Sequence, residues 1–414
     1  MSEFLKRSQW LPDLTTQGVG ANPDSVALVY KRPRIDHQVP GREWHTQIGT
    51  AQAIFRFPEQ GMWNGKIMIG ATPAVRSEYS LDLLLGDDAL SKGYAYAACD
   101  KGTPGLTLRD SSRQMSEWLI NYKLLTDMAH DLVLECYGET PKKTYIAGVS
   151  NGGYIVRAML ERYPEKFDGG VEWEGVLWNT GVRHLLTTLP TYIDAYPILM
   201  NWRGDCTKDE RHKAREKLLD AGLNPQSSPH WDVYMSSYWI VSLWLYGHSL
   251  DPDWPAFQAT WNNDWLKDPR PLGEYPFHER IEIVNERITP IELTGHISKP
   301  LLSVAGNWDC LVPFAFHAKG YEKMVRVAGS GHLHRLYEIM HGNHVDGLLI
   351  QDRQRQEPVL PYFEAAVRYL EQWVEDKQEP PTAGSFSSIQ SFAGDMNVMS
   401  FVTNEESIEG SCMT

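Results

Sequence analysis

The chain has 414 residues, 42% of them hydrophobic, and its formal net charge is −14 at pH 7. This length allows one large core with insertions or two domains. The acidic balance argues against nucleic acids and anionic membrane surfaces as partners. The sequence contains neither a run of 18 apolar residues nor an N-terminal secretory signal, so we predict a cytoplasmic protein without a membrane-spanning helix.

The cysteines indicate neither a disulfide framework nor a structural zinc site. Their number is odd, their spacing is wide and no C-x-x-C occurs, so we expect free thiols in a reducing compartment. They are Cys99, Cys136, Cys206, Cys310 and Cys412. No H-E-x-x-H or paired-carboxylate pattern is present either, so neither a metal nor a cofactor is expected.

The predicted elements begin with two antiparallel strands and continue as an alternation of strands and helices. The opening strands are expected at residues 24–35 and 51–60. Further strands are expected at residues 66–70, 94–100, 144–149 and 167–178, with helices at residues 80–93, 112–136 and 153–162. Short apolar strands that alternate with helices predict an α/β fold with a mostly parallel sheet and helices on both faces.

The alternation stops between about residues 180 and 297 and then resumes. Strands with following loops are expected from residue 299 and from residue 334, and helices at residues 318–328 and 361–376. We therefore predict a core made of residues 1–179 and 298–377, a large and mainly helical cap or lid at residues 180–297, and a tail at residues 378–414. An insert of this size at the edge of a sheet is usually a lid or cap.

Seven of the fifteen tryptophans fall in the insert. Their side chains could line an aromatic pocket or form the core of the cap itself, and the sequence leaves both open. They are Trp202, Trp231, Trp239, Trp244, Trp254, Trp261 and Trp265.

A G-x-S-x-G motif runs from Gly148 to Gly152, between a predicted strand and a predicted helix. At such a junction a serine sits on a sharp turn with its Oγ above the sheet, and residues without side chains are needed two positions on either side. The helix N-terminus behind the serine favours developing negative charge. Ser150 is therefore a candidate nucleophile.

A serine nucleophile needs a base, and the base needs an orienting acid. Asp309 follows one later strand, in GNWDCLVPF, and His344 follows the last predicted one, in HGNHVDG. The order Ser150, Asp309, His344 is that of α/β-hydrolases. His341 is the alternative base, but Gly342 and Asn343 place His344 farther into the loop.

Other residues could stand near this site. Glu172 and Glu174, at the end of the preceding core strand, are alternative acids. Asp346 is expected at the surface, with a supporting role left open, and Cys310 is expected to serve packing rather than attack.

These motifs, with the flanks WNGKIMIGATPA, KGYAYAACDKGTPG and RYPEKFDGGV, resemble the α/β-hydrolase superfamily and, within it, esterases of the tannase and hydroxybutyrate-oligomer-hydrolase kind. The resemblance covers residues 50–178 and 298–376. Tannase and feruloyl esterase sequences commonly carry a disulfide-forming cysteine just before the serine and another just after the histidine. Val149 and Val345 stand at those positions here, which suits a reducing compartment.

The oxyanion of such a reaction needs two backbone donors. The first is expected to be the N–H of Asn151, directly after the nucleophile. The second is expected in the loop after the strand at residues 66–70, from Ala71 or Thr72, because Pro73 has no N–H.

Together these features predict a serine hydrolase that cleaves a small carboxylic ester or lactone through an acyl-enzyme. An acyltransferase with the same intermediate, a hydroxyalkanoate-oligomer hydrolase and a non-catalytic ligand-binding module are the alternatives. The sequence names no substrate, and it leaves open whether the chain forms a homo-oligomer.

Overall fold

The centre of the fold is a ten-stranded, mostly parallel sheet, in a computed structural model that describes residues 8–29, 35–351, 355–394, 396 and 398. The strands are β1 (Gln9–Leu11), β2 (Gly41–Ile48), β3 (Ala51–Pro58), β4 (Lys66–Ala71), β5 (Ala95–Cys99), β6 (Lys143–Val149), β7 (Gly169–Trp173), β8 (Leu301–Gly306), β9 (His334–Ile339) and β10 (Gly384–Phe386). Their order across the sheet is β1-β2-β3-β5-β4-β6-β7-β8-β9-β10. The pairs β1–β2, β2–β3 and β3–β5 are antiparallel, and all later pairs are parallel.

The described residues form fifteen α-helices. They are α1 (Thr16–Val19), α2 (Pro23–Val26), α3 (Asp87–Ser91), α4 (Glu117–Tyr137), α5 (Asn151–Arg162), α6 (Leu185–Leu199), α7 (Lys208–Asp220), α8 (Trp231–Tyr234), α9 (Ile240–Leu250), α10 (Pro255–Gln258), α11 (Arg270–Gly273), α12 (Phe277–Ile288), α13 (Ala318–Val327), α14 (Leu360–Glu371) and α15 (Ile389–Ala393). Turns of π-helix precede α3 (Asp82–Gly86) and α9 (Met235–Trp239) and follow α14 (Gln372–Asp376). Short 3₁₀ turns lie at Gly105–Arg109, Pro164–Lys166, Pro225–His230, Asn263–Leu266, Thr289–Ile291, Gly331–Leu333 and Asp346–Gln351.

Helices pack on both faces of the sheet. Successive strand residues point to opposite sides, so each strand has apolar side chains to bury on both faces. On β4, Ile67 and Ile69 belong to one buried apolar cluster together with Leu125 of α4. Met68, between them, belongs to a second cluster together with Phe363 of α14. The predicted fold class, a mostly parallel sheet with helices on both faces, is confirmed. No helix within the described ranges is both long and apolar enough to cross a bilayer.

The predicted opening strand at residues 24–35 is wrong. Pro23–Val26 forms the short helix α2, whose first turn is capped by the side chain of Asn22, which accepts a hydrogen bond from the backbone N–H of Asp24. Proline at the first helical position favours this start. Residues 30–34 lie outside the described residues. The strand that pairs with β3 is instead β2, Gly41–Ile48, joined to it by a two-residue connection.

The insert between β7 and β8 is helical, and this fully described stretch contains no strand. It carries α6 to α12. Its side chains pack into the same apolar cluster as one face of the sheet, so Trp239 and Leu243 of the insert share a core with Ile69 of β4. The insert is therefore built onto the sheet layer. The division of the chain at residues 179, 297 and 377 stays a prediction.

Part of the predicted tail belongs to the sheet. Gly384–Phe386 forms β10, which pairs in parallel with β9. Phe392 of α15 is buried in the cluster that also holds Tyr337 and Tyr362. Ring packing explains this order, because Phe392 lies 4.8 Å from Tyr337 and 5.4 Å from Tyr362, centroid to centroid. Residues 399–414 lie outside the described residues.

Candidate active site

Ser150 sits on a sharp turn between β6 and α5. Its backbone has φ 60° and ψ −118°, a conformation that L-residues rarely adopt and that stores local strain. The two motif glycines allow it. A Cβ at Gly148 would lie 2.5 Å from the carbonyl oxygen of Ala71, and one at Gly152 would overlap the same atom. The end of β4 therefore presses directly against the turn, which explains the G-x-S-x-G pattern.

The structure brings Ser150, His344 and Asp309 together. The hydroxyl Oγ of Ser150 lies 3.1 Å from Nε2 of His344. Nδ1 of His344 lies 2.7 Å from Oδ2 of Asp309. An ionised carboxylate only accepts hydrogen bonds, so the imidazole proton is placed on Nδ1 and Nε2 is left to accept from the serine. All three side chains are buried.

Backbone amides fix the orientation of Asp309. Its Oδ1 accepts from the N–H groups of Leu311 and Val312, each at 2.7 Å, which leaves Oδ2 for the histidine. The neighbouring Cys310 thiol is fully buried, and that burial raises its pKa to about 12. A thiol held neutral in this way is a poor nucleophile, which agrees with the expected packing role.

Asn343 connects the two loops that carry the acid and the base. Its Oδ1 accepts from the backbone N–H of Cys310 at 3.1 Å and from that of His344 at 2.9 Å. Sequence reasoning treated Asn343 only as a spacer. The position of Asn343 directly before His344 was the sequence feature that could have indicated this connecting role.

The alternative residues have other roles. His341 is exposed and lies against Trp308, with ring centroids 4.6 Å apart. Glu172 forms a fully buried ion pair with Arg157, with Oε1 and Nη2 2.5 Å apart. Glu174 accepts a hydrogen bond from the backbone N–H of Gly306, and its burial, followed by the charge of Asp309, raises its pKa well above the usual range.

Asp346 is buried, so its expected position at the surface is wrong. Its carboxylate accepts from the backbone N–H groups of Val359 and Leu360, which places it at the start of α14. Burial raises its pKa to about 7.

Of the predicted oxyanion donors, Thr72 is excluded. Its backbone N–H already donates to the hydroxyl of Tyr122, at 2.8 Å. Asn151 lines the cavity in front of Ser150, and Ala71 ends β4 next to the turn. Ala74 was missed by sequence reasoning: it is the first residue after Pro73 that has an N–H, it lines the same cavity, and its φ is 42°.

The buried lysine Lys101 holds the loop after β4 through hydrogen bonds to Thr72. Nζ of Lys101 donates to Oγ1 of Thr72 at 2.8 Å and to its carbonyl oxygen at 3.0 Å. Burial lowers the pKa of Lys101 to about 8. Sequence reasoning missed this contact, for which an isolated lysine directly after an apolar strand was the available signal.

A cavity of about 60 Å³ lies in front of Ser150. From the insert, Tyr238, Ser242 and Tyr246 line it at intervals of four residues, which places them on one helical face. Its apolar lining comprises Leu28, Pro73, Ala74, Leu185, Leu311, Val312 and Val345. None of the seven insert tryptophans, all of which are described, is among the lining residues.

The insert is hydrogen-bonded to the residue after the nucleophile. The side-chain amide of Asn151 donates to the hydroxyl of Tyr246 at 2.6 Å, and its oxygen accepts from Nε1 of Trp178 at 3.4 Å. The position of α9 is thereby linked to the start of α5.

Neither a disulfide nor a metal site is present among the described residues. Cys99, Cys136, Cys206 and Cys310 are free, and Cys412 lies outside the described residues. In the part of the chain that the structure describes, no group of three His, Cys, Asp or Glu side chains is arranged to hold a metal ion. Val149 and Val345, at the positions of the cysteine pair in tannase-type sequences, are both buried in one apolar cluster.

Residues 39–176 match the family model described as Tannase and feruloyl esterase. The matched segment contains Ser150 but ends before Asp309 and His344. The match confirms the resemblance to tannase-type esterases that the sequence motifs predicted. No curated protein sequence matches the chain.

Two fungal enzymes of known structure are similar over most of their length. Feruloyl esterase B from Aspergillus oryzae has a TM-score of 0.53 at 15% identity, covering 90% of this chain and 87% of that one. Tannin acyl hydrolase from Aspergillus niger has a TM-score of 0.50 at 12% identity, covering 97% and 93%. At such identities the likeness shows the shared α/β-hydrolase fold.

Proposed function

We propose that this carboxylic ester hydrolase of the tannase and feruloyl esterase type cleaves its substrate through an acyl-enzyme on Ser150. The observation that carries the proposal is the continuous hydrogen-bond chain from Ser150 through His344 to Asp309. Each member follows a different parallel strand, so the three loops meet at the carboxyl edge of the sheet, where sites of such sheets form.

The chemistry follows from these positions. Oγ of Ser150 attacks the ester carbonyl carbon while its proton passes to Nε2 of His344. The tetrahedral intermediate collapses, the bond to the alkoxy oxygen breaks, and the histidine returns the proton to the leaving alcohol. Water, deprotonated by the same histidine, then attacks the acyl-serine. The bond from the acyl carbon to Oγ breaks, the histidine returns the proton to Oγ, and the carboxylic acid is released. Asp309 holds the imidazole tautomer and stabilises the transient imidazolium.

The oxyanion of both intermediates requires donors beside Ser150. We assign the first to the N–H of Asn151, at the N-terminus of α5. We assign the second to Ala71, the last residue of β4, or to Ala74 in the loop that follows, because the Thr72 amide is engaged and Pro73 has none. Loss of one such donor typically raises the barrier by about 3–4 kcal/mol.

The cavity limits the acyl group. The space in front of Ser150 is small, about 60 Å³, which favours a small acyl group. The cavity walls are mainly aliphatic, with hydroxyls from one helical face of the insert. Residues 180–297 would thus act as a cap over a core made of residues 1–179 and 298–377, and the favoured substrate is an ester or lactone with a short acyl part.

Labelling with a fluorophosphonate, which reacts with activated serines, tests this proposal together with hydrolysis of short p-nitrophenyl esters. Ser150→Ala is expected to abolish both. Ser303→Ala is a matched control because Ser303 also contacts a buried histidine, His334, at 2.8 Å, but lies away from the cavity. It should still be labelled. Labelled Ser150→Ala protein, or an unlabelled wild type, would contradict the assignment, and the second result would favour a non-catalytic binding module.

An acyltransferase is the second candidate, because Ser150 is only 7% exposed under the insert. Limited water access lets another acceptor compete for the acyl-enzyme. Product analysis with and without an added alcohol or amine separates the two: accumulation of the transferred ester or amide at the expense of free acid would indicate transfer.

A further inference from the structure

Lys101 places a fully buried amino group beside the loop that follows β4. The residue comes just after β5, and its exposure is 0%. Because β4 and β5 are parallel neighbours, both chain segments leave the sheet at the same edge, where the loop that carries Ser150 also lies. Burying a charged group is costly unless hydrogen bonds compensate it. The partners of Lys101 therefore indicate what the residue is for.

All hydrogen bonds of the Lys101 amino group go to the loop after β4. Nζ donates to Oγ1 of Thr72 at 2.8 Å, to the carbonyl oxygen of Thr72 at 3.0 Å and to that of Pro73 at 3.4 Å. An ammonium group has three donors, so this loop accounts for all of them. The hydroxyl of Thr72 donates its own proton to the carbonyl oxygen of Cys99 at 2.8 Å, which leaves Oγ1 free to accept from the lysine. Two successive carbonyls are thereby turned toward one cation.

The direction of the Pro73 carbonyl decides where the next amide points. In a planar trans peptide the C=O and the following N–H point in opposite directions, and the bond between Pro73 and Ala74 is trans. The Pro73 oxygen also accepts from the N–H of Arg76 at 3.2 Å, so two donors hold it in place. The N–H of Ala74 therefore points away from Lys101. Within the described part of the chain, this N–H donates to no other backbone group.

Ala74 is better placed than Ala71 to donate to an oxyanion. Ala74 lines the cavity in front of Ser150, and its φ of 42° is in the left-handed region, where non-glycine residues concentrate at active sites. Ala71 is not among the lining residues. It ends β4 and pairs with both neighbouring strands, so its backbone groups point within the sheet toward those strands.

We propose that Lys101 is a positioning residue, which holds the carbonyls of Thr72 and Pro73 so that the N–H of Ala74 serves as the second oxyanion donor. The proposal rests on the proposed function of Ser150. A hydrogen bond to a peptide oxygen also polarises the amide, which strengthens the N–H at its other end as a donor. Lys101 does not line the cavity, so its effect passes through the peptide between Pro73 and Ala74.

Replacing Ala74 by lactic acid tests the donor directly. The exchange turns the amide between Pro73 and Ala74 into an ester, which removes the N–H and keeps the side chain. We expect kcat for short p-nitrophenyl esters to fall by roughly 10²–10³-fold, as for loss of one oxyanion donor, with KM nearly unchanged. The same replacement at Ala71 should lower kcat less. A larger loss at Ala71 than at Ala74 would overturn the proposal.

Lys101→Met tests the positioning role, because it keeps an unbranched side chain and removes the donors. We expect kcat to fall at least about tenfold with KM nearly unchanged. Inhibition by a trifluoromethyl ketone, which forms a tetrahedral oxyanion on the serine, should weaken by the same factor as kcat/KM. Lys66→Met is the matched control, since Lys66 begins β4 at its other end and pairs with Glu375 at 2.6 Å. It should retain wild-type kcat.

Three results would overturn the positioning role: full activity in Lys101→Met, equal losses in the two lysine variants, or unchanged inhibition by the ketone. If Lys101→Met does not fold, the lactic acid replacement at Ala74 still decides, because full activity there removes the proposed donor. Fluorophosphonate labelling separates these failures from that of the proposed function. An unlabelled wild type removes both, whereas a labelled wild type with an active Ala74 replacement removes only this inference.

Discussion

The backbone N–H of Thr72 donates a hydrogen bond to the hydroxyl of Tyr122, with N and O 2.8 Å apart. The same hydroxyl lies 3.1 Å from the carbonyl oxygen of Gly70 and 3.2 Å from that of Cys99. One side chain of α4 thus fixes the backbone where β4 and β5 end. Because this loop is proposed to supply an oxyanion donor, the contact should influence the reaction rate as well as stability.

Tyr122→Phe is expected to lower kcat by about tenfold or more, since the Thr72 amide is left buried without an acceptor and the loop can rearrange. The loss of an acceptor for the buried Thr72 N–H should also reduce the free energy of unfolding by about 1–3 kcal/mol. Tyr137→Phe is the control. It removes a buried tyrosine hydroxyl that donates to the carbonyl of Pro58 at 2.7 Å, far from the cavity. It should cost stability but leave kcat unchanged, and equal kcat losses in both variants would contradict the local role.

Gly152→Ala should abolish activity by displacing the turn that carries Ser150. A Cβ at this position would overlap the carbonyl oxygen of Ala71, which is backbone and cannot rotate away. We expect kcat to fall by at least about 100-fold, since small displacements of a nucleophile have effects of that size. Gly61→Ala, where an added Cβ meets no atom within 4 Å, is the control. Steady-state kinetics and thermal melts of both variants would check this, and an active Gly152→Ala enzyme would disprove the crowding argument.

Leu185→Ala should shift the preference toward longer acyl chains. Leu185 lines the small cavity at the start of α6, and its truncation adds space for about three carbon atoms. Each additional buried methylene stabilises binding by about 0.8 kcal/mol. We therefore expect kcat/KM to rise for hexanoate relative to acetate p-nitrophenyl esters.

Leu250→Ala controls for destabilisation in that experiment. Leu250 is buried in α9 but does not line the cavity. Both truncations should cost about 2–5 kcal/mol, while only Leu185→Ala changes the chain-length profile. An unchanged profile in Leu185→Ala would place the acyl group elsewhere.

His334 should make the protein less stable in acid. Burial lowers its pKa to about 3 in the folded state, from an unfolded value of 6.5. Between these values the unfolded chain binds more protons, so stability rises with pH by up to about 1.4 kcal/mol per unit. The contribution is therefore fully present above pH 6.5 and is lost as the pH falls toward 3.

His334→Gln should reduce the slope of unfolding free energy against pH by about one proton between pH 4 and 6. Denaturant titrations across that range provide the measurement. His212→Gln, on the exposed surface of α7, should leave the slope as in wild type. A slope unaffected by His334→Gln would mean that this histidine is charged in the folded protein.

The geometry around Ser150 was predictable because it follows from strand topology. Parallel strands end at one edge, so residues placed just after β6, β8 and β9 must approach one another, however far apart they lie in sequence. The two glycines around Ser150 indicated, within the motif itself, that the backbone is too crowded there for side chains. Side-chain contacts such as that between Thr72 and Tyr122 were not predictable, since nothing near Thr72 indicates which of many buried tyrosines its amide meets.

The missed strands share a physical cause. β2, with sequence GREWHTQI, has few apolar residues, and only Trp44 and Ile48 of its side chains supply substantial buried apolar area. β10 is only three residues long and is joined to β9 by backbone pairing. Backbone pairing leaves no side-chain pattern, so hydrophobic periodicity does not reveal such strands.

The pairing of β10 with β9 continues beyond the strands themselves. The N–H of Met340 donates to the carbonyl oxygen of Phe386 at 2.9 Å, just ahead of the loop that carries His344. A chain cut before Gly384 would leave β9 with an open row of N–H and C=O groups, which is a template for a strand from another molecule. The C-terminal segment therefore covers this edge of β9, next to the loop that carries His344.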